Sequence, residues 1–200
     1  GTLSYASSNP KVAEVSDSGE VTITGAGNAS ITVTASETED YRQCEYQISI
    51  NVAKAVQRIS GTAKYSKAAG SKPFRLNAKR TAGDGKLSYL SSNRAVATVS
   101  DNGTVTIKKP GSAIITITAA TTVNYSPCSF RINLSVTAPK KGTILTDSKT
   151  KAKYKVSKQG KAVEYVKPED KMAVKVSIPA TVTISGVKYN VTAIASNALS

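Results

Sequence analysis

Gly1-Thr2-Leu3-Ser4-Tyr5-Ala6-Ser7-Ser8-Asn9 and Gly85-Lys86-Leu87-Ser88-Tyr89-Leu90-Ser91-Ser92-Asn93 are two versions of one stretch. Val12-Ala13-Glu14-Val15-Ser16-Asp17-Ser18-Gly19 is answered in the same way by Val96-Ala97-Thr98-Val99-Ser100-Asp101-Asn102-Gly103. Working outward, residues 1–55 align with 85–139 without a gap at a constant offset of 84 positions. About half of the aligned pairs are identical, the mark of a module duplicated in tandem. Tandem copies of a small β module build reach or surface display, so the repeat points to an adhesion or scaffold role rather than an enzyme.

The residues between and within the copies alternate apolar and polar over short runs. Gln57-Arg58-Ile59-Ser60 opens the longer copy, and Phe74-Arg75-Leu76-Asn77-Ala78 follows the turn Gly70-Ser71-Lys72-Pro73. Lys86–Leu90, Ala95–Val99, Thr104–Ile107, Ala113–Ala119 and Phe130–Val136 carry the same period of two, which is the strand signal. Asp101-Asn102-Gly103 predicts a type I′ hairpin turn, because Asn-Gly accepts positive φ, and Asp17-Ser18-Gly19 takes its place in the first copy. About seven strands at this spacing predict a two-sheet sandwich. Without tryptophan and with two phenylalanines, burial must come from Val, Ile, Leu, Ala and tyrosine, and β-branched richness favours strands.

Leu87–Asn93, Val96–Ile107 and Gly111–Ala119 together resemble the group 2 bacterial immunoglobulin-like domains, and the likeness extends to both copies. The resemblance implies β-sandwiches of the kind found in bacterial and phage surface proteins, including intimin- and invasin-like adhesins. The expected fold class is all-β, with tandem immunoglobulin-like β-sandwiches followed by a small β-rich domain. Residues 1–55 form a partial module, 56–139 a complete one, and 140–200 the β-rich domain after the boundary Lys140-Lys141-Gly142. Antibody domains differ: this chain has no tryptophan, no cysteine pair within a module, and Tyr125 three residues before Cys128 where the antibody tyrosine corner stands two before. Within 140–200, Ala152–Val156, Ala162–Val166 and Val174–Ile178 read as strands. The stretch from Val176-Ser177-Ile178-Pro179 through Tyr189-Asn190-Val191-Thr192-Ala193-Ile194 to Asn197-Ala198-Leu199 resembles the opening or cap of bacterial surface leucine-rich repeats, with Leu199 in place of the usual aromatic residue. Because Gly1 matches Gly85 inside the repeat, the chain reads as an excerpt of a longer one.

No run approaches the ~20 apolar residues of a membrane helix, and no signal peptide opens the sequence. The formal charge of +14 is uneven, with −4 over residues 1–55, +10 over 56–139 and +8 over 140–200. Such a field attracts polyanions, namely anionic cell-wall polymer, acidic glycan or anionic lipid; the competing reading is a solubilising lysine-rich surface. No nucleic-acid motif accompanies it, so nucleic acid is not an expected partner.

Chemistry is sparse. There is no histidine, which removes the commonest general base and metal ligand, and no Ser-x-x-Lys lies at a helix start with its partner motifs. The expectation is therefore no enzyme, no catalytic residue, no metal and no cofactor. Glu37-Thr38-Glu39-Asp40 offers hard oxygen atoms suited to calcium, but its counterpart Thr121-Thr122-Val123-Asn124 has no carboxylate, so a solvated loop is the other reading. Cys44 and Cys128 occupy equivalent positions and should be free, buried thiols slow to label.

The one directional surface feature is a strand through Lys149–Val156, which would align Lys149, Lys151, Lys153 and Lys155 on one face over Ala152, Tyr154 and Val156. This row is either a stripe for acidic polymer or an edge strand guarded by lysines. The functional expectation is a non-catalytic part of a secreted or cell-surface bacterial protein, serving adhesion or ligand display with the modules as stalk. Its partners would be anionic wall polymer, glycan or a host surface protein, and the open edge of the partial module invites self-association. The alternatives are an accessory polysaccharide-binding module of an extracellular hydrolase, which the lack of tryptophan disfavours, and a phage-particle decoration domain.

Overall fold

The computed structural model describes residues 1–167 and 176–198, and among these every regular element is a strand. The expected strand Val174–Ile178 falls partly outside the described residues, as does Leu199, and 176–178 are not in a strand. Contacts gather the chain into two compact units. The first holds residues 1–60, 79–87 and 118–129; the second holds 61–78, 88–117 and 130–200.

In the first unit, residues 1–55 form β1 (Leu3–Ser7), β2 (Ala13–Val15), β3 (Val21–Ile23), β4 (Gly27–Ala35) and β5 (Cys44–Val52). They make two small sheets, β1-β4-β5 and β2-β3. β4 is the antiparallel centre of the larger one, pairing Tyr5 with Val33 on one side and Ile48 with Ile31 on the other. The core is small: Val12, Ala13 and Ala29 are buried, with Ile50 and Val52 packed partly against them. No strand in this copy lies outside β3 or β5.

The connection continues through β6 (Ala55–Val56), β7 (Arg58–Gly61), β8 (Lys64–Ala68), β9 (Phe74–Arg75) and β10 (Ala78–Ala82). β8 is a strand that the alternation analysis passes over, and the run expected from Phe74 to Ala78 divides at Leu76-Asn77 into β9 and β10. The second copy then gives β11 (Leu87–Ser91), β12 (Ala97–Val99), β13 (Thr104–Ile107), β14 (Gly111–Ala119), β15 (Tyr125–Ser126) and β16 (Cys128–Thr137), with β11 to β14 and β16 falling where the offset of 84 puts β1 to β5. Its sheets run β11-β14-β16-β8 and β12-β13-β9. Alternation is strict where it matters: Ala113, Ile115, Ile117 and Ala119 of β14 and Ile132, Leu134 and Val136 of β16 are buried while their neighbours face outward. β8 joins β16 in parallel, Tyr65 opposite Leu134 and Lys67 opposite Val136.

The β12–β13 connection corrects the expected type I′ turn. Gly103 has φ 79°, but Asn102 does not take positive φ. Gly103 N donates to the Ser100 carbonyl at 2.9 Å and Ser100 N to the Thr104 carbonyl at 3.0 Å, which is a type I turn closed by a left-handed glycine. Asn102 serves through its side chain, accepting from Ser100 Oγ at 2.7 Å and Thr104 N at 3.1 Å. The Tyr89 ring covers this glycine, where an added Cβ would lie 3.1 Å from a ring carbon; Tyr5 covers Gly19 in the first copy in the same way.

A buried polar bracket fastens the first unit. Gln57 Nε2 donates to the Ala120 carbonyl at 2.7 Å and the Ser126 carbonyl at 2.9 Å, and Gly85 N donates to Gln57 Oε1 at 2.8 Å. Three backbone groups far apart in sequence are thereby satisfied by one buried side chain. Gly83 and Gly85 are required beside it, since a Cβ at either would meet Gln57 side-chain atoms within 2.7 Å.

The C-terminal segment, in the second unit, is a five-stranded sheet of order β17-β18-β19-β21-β20. Its strands are β17 (Ile144–Thr146), β18 (Lys153–Lys158), β19 (Ala162–Lys167), β20 (Thr181–Ile184) and β21 (Val187–Ile194). β19 and β21 are parallel and the other neighbours antiparallel. The stretch likened to a leucine-rich repeat is here the β20–β21 hairpin, turned by Ser185 (φ 53°) and Gly186 (φ 72°), the pair of positive φ values that a two-residue I′ turn needs. One face is packed by Tyr154, Val156, Val163, Tyr165, Val182, Ile184 and Tyr189.

The bracket generates a prediction. Gln57→Ala leaves the buried Gly85 amide without its partner, at about 1–3 kcal/mol for an unsatisfied buried group, and removes the donor to the Ala120 and Ser126 carbonyls. A urea melt should show a clearly lowered midpoint with an unchanged slope, and a midpoint equal to the wild type would show that the bracket does not stabilise the fold.

Candidate functional site

The lysine row is only half realised. β18 begins at Lys153, not at Lys149, because Asp147 closes the preceding loop: its carboxylate accepts from Lys149 N at 3.1 Å and Thr150 Oγ1 at 2.7 Å, while its carbonyl accepts from Lys151 N at 2.8 Å. Those hydrogen bonds hold the Asp147 carboxyl below its ordinary pKa, the Thr150 hydroxyl foremost. Lys149 therefore sits in a turn and Lys151 at φ 56°, both exposed. Lys153 and Lys155 share the face opposite Ala152, Tyr154 and Val156, which are buried as the alternation requires. Lys155 stands opposite Glu164 and Lys153 opposite Lys167. The guarded-edge reading is corrected too, since β18 is paired on both sides, by β17 and by β19.

The face beneath is aromatic. Tyr154 and Tyr165 meet edge to face with centroids 5.5 Å apart. The hydroxyls of Tyr165 and Tyr189 are buried without a hydrogen-bond partner among the described residues. Burial pushes the phenols of Tyr154, Tyr165 and Tyr189 above their ordinary pKa because the phenolate cannot be solvated there.

A second surface feature escaped the sequence reading. On the outward face of β14, β16 and β8, Ser66, Ser92, Ser112, Asn133 and Ser135 surround Ile114 in an open groove of about 760 Å³. Shifted by 84, its counterpart in the first copy is a groove of about 450 Å³ lined by Ser8, Asn28, Ala29, Ser30, Ser49, Ile50 and Asn51. The recurrence of small polar residues at outward strand positions of both copies was the available signal. A third cavity of about 700 Å³ is bordered by Lys67, Lys140, Thr146 and Ser185.

Glu37, Glu39 and Asp40 are all exposed, and no group of three or more metal-ligating side chains occurs among the described residues. The cysteines are free, but Cys44 is exposed and Cys128 only half-buried, which corrects the expectation of two buried thiols. The reason is visible at β5, where Cys44 opens a strand whose outer side has no neighbour. No described helix is long and apolar enough to cross a membrane.

Residues 1–37 and 75–121 match the family model described as the intimin immunoglobulin-like domain. No curated protein matches the chain. Among solved structures, the S-layer protein rSbsC(31-844) is 21% identical over 77% of this chain, with a TM-score of 0.36, and the chain spans 21% of its length. Human protocadherin-24 EC1-2 is 13% identical over 70% of this chain and 83% of its own, with a TM-score of 0.31. A SusE-like surface-located polysaccharide-binding protein from the Bacteroides thetaiotaomicron heparin utilisation locus is 14% identical over 76% of this chain and 30% of its own, with a TM-score of 0.30. The family match agrees with bacterial immunoglobulin-like domains; none of these comparisons gives a leucine-rich repeat.

The buried phenols fix a pH dependence. The unfolded chain releases its phenolic protons at about pH 10, whereas the folded sheet holds them to higher pH. Their contribution to stability is complete below about pH 10 and is lost as pH rises through the folded values. Tyr165→Phe and Tyr189→Phe should move the alkaline unfolding midpoint upward by circular dichroism. At pH 7 they should be neutral or stabilising by about 1 kcal/mol, since each removes an unpartnered buried hydroxyl.

Proposed function

We propose that this chain is a non-catalytic module of a bacterial surface protein, in which the two immunoglobulin-like copies, 1–55 and 56–139, serve as a stalk and 140–200 as a basic β-rich domain, together supporting adhesion or ligand display. The observation that carries the reading is a set of hydrogen bonds within the first unit that joins residues of both copies. There β6 pairs in parallel with β15, Ala55 N donates to the Asn124 carbonyl at 2.9 Å, Ala26 N donates to Asn124 Oδ1 at 2.9 Å, and Lys54 Nζ donates to the Thr122 carbonyl. A stalk needs more than a linker at its joints, and this pairing, all of it within the first unit, supports the reading.

The two native cysteines lie in this unit, one in each copy, so they report on this pairing without added mutations. Spin labels at Cys44 and Cys128 should give one narrow distance distribution, and Asn124→Ala with Lys54→Ala should broaden it. A broad distribution in the wild type would remove the stalk reading.

The charge supports a wall-facing role for the C-terminal two-thirds. Retention on isolated wall teichoic acid or heparin should fall steeply between about 50 and 200 mM salt, as counterion release requires. Replacing Lys149, Lys151, Lys153 and Lys155 with glutamine should weaken it further without unfolding. Retention indifferent to both would leave the lysines as a solubilising surface.

A further inference from the structure

The cavity of about 700 Å³ lies wholly within the second unit, and two free strand edges border it. β8 is the outer strand of β11-β14-β16-β8 and β17 the outer strand of β17-β18-β19-β21-β20; residues 66–68 of the first and all of the second line the space. Val156 N donates to the Thr143 carbonyl and Asp147 N to the Ala152 carbonyl, so Thr143, Leu145 and Asp147 turn their backbone groups toward β18. Ile144 and Thr146, between them, turn theirs to the free edge. Asn133 N donates to the Ala63 carbonyl and Ala69 N to the Thr137 carbonyl, so by the same alternation the Ser66 and Ala68 amides point away from β16.

The side chains add donors and no counter-charge. Lys67 and Lys140 line the cavity with the hydroxyls of Ser71, Thr143, Thr146 and Ser185, and no carboxylate lines it. Asp147, next in sequence to Thr146, has its carboxylate taken by Lys149 N and Thr150 Oγ1. Ile144, 51% exposed, gives the cavity an apolar surface. Close packing sets the walls: a Cβ on Gly70 (φ 85°) would lie 2.7 Å from Ser185 Oγ, and one on Gly186 (φ 72°) would strike Lys109. The β20–β21 turn is thereby seated against two loops of the longer copy, which places Ser185 at the cavity.

We propose that this cavity binds one oxyanion-bearing unit of a polyhydroxylated ligand, with a phosphate or sulfate ester facing Lys67 and Lys140. The ligand's hydroxyls meet Ser71, Thr143, Thr146 and Ser185 and the amides of the two strand edges, and its C–H face lies on Ile144. The volume falls within the range of small-ligand sites, about 300–1,000 Å³. Bonds from the two ammonium groups to the ester are charge-assisted and so are the strongest contacts. Serine and threonine hydroxyls both donate and accept, as the hydroxyls of a sugar or polyol do. The inference rests on the wall-facing reading of the charge for the source of the ligand alone, and it assigns recognition to a built cavity in place of a diffuse field.

The test titrates the full chain with a glycerol phosphate trimer and with a sulfated heparin-type disaccharide, followed by calorimetry and amide NMR. The expected result is saturable binding of one or both at a single site, with shifts at the Ser66, Ala68, Ile144 and Thr146 amides; the tighter of the two identifies the source. Lys67→Gln with Lys140→Gln should weaken binding at least about tenfold, the scale of one lost hydrogen bond to a charged group. Ile144→Glu, at an exposed position, should abolish it. Lys79→Gln with Lys86→Gln removes the same charge from exposed positions outside the cavity and should change it less than about twofold, because solvent and salt screen such charges. An equal loss in that control pair would leave only a diffuse field and overturn the proposal. So would equal binding of an uncharged disaccharide, hexaglutamate binding as tightly at the same amides, or the absence of saturable shifts there with either ligand. Polymer retention that survives Lys67→Gln with Lys140→Gln while neither small ligand binds sinks the site and spares the wall-facing reading; small-ligand binding without polymer retention does the reverse.

Discussion

The parallel pairing of β8 with β16 is the constraint on which the rest depends. A strand inside a sheet must satisfy two rows of backbone groups and bury one row of side chains, and β16 does both only because β8 lies on its outer side. The same segment then turns and adds β9 to the facing sheet, so one stretch of chain closes both layers. Beside it Val105, Ile117 and Ile132 are fully buried, whereas their counterparts Val21, Val33 and Ile48 are partly or largely exposed; Ile31, the counterpart of Ile115, stays buried in both settings. Complete burial of a valine or isoleucine contributes about 1.5–3 kcal/mol, so losing it at Val21 and Ile48 alone is large beside the few kcal/mol by which a small domain is stable. The first copy keeps its strands nonetheless, because β4 is hydrogen-bonded on both sides and Val12, Ala13 and Ala29 still form a core.

Polar side chains complete what the sheets leave undone, and they do so twice in the same way. Ser91 Oγ donates to the Ala97 carbonyl at 2.7 Å and accepts from Asn93 N at 3.3 Å; Ser7 does the same with Ala13 and Asn9 at 2.6 and 3.1 Å. This small bracket holds the loop between β1 and β2 and between β11 and β12 identically in both copies. The larger bracket of Gln57 joins residues of the longer copy that are far apart in sequence. Local hydrogen bonding is thus preserved by the duplication, while the long-range closure depends on residues 57–84.

The legible part of the sequence was the part with strict period. The strands of the repeat fall where alternation and the 84-residue offset place them, because residues such as Ile115 and Ile117, or Ile132 and Leu134, must alternate with solvent-facing neighbours. β8 was not legible: Lys64-Tyr65-Ser66-Lys67-Ala68 is polar, and its strand state comes from pairing with β16 rather than from its own pattern. The lysine row overreached for the converse reason. Period two is unbroken from Lys149 to Val156, but Asp147 captures the backbone of Lys149 and Lys151 and ends the strand at Lys153. The grooves were hidden because serine and asparagine at outward positions carry no signature until the strands are side by side.

The pair of copies also separates scaffold from surface. The side chains that set the fold, such as Tyr5 over Gly19 and Tyr89 over Gly103, are the same in both. The outward residues are not: Ile114 at the centre of one groove is Ser30 in the other, and the charge reverses from −4 over 1–55 to +10 over 56–139. A face that must hold the sheets together cannot tolerate such change, since an unpaired charge or hydroxyl in the core costs several kcal/mol. A solvent-facing strand position tolerates it at little cost. The module therefore offers one backbone on whose outward strand positions opposite electrostatic surfaces can stand.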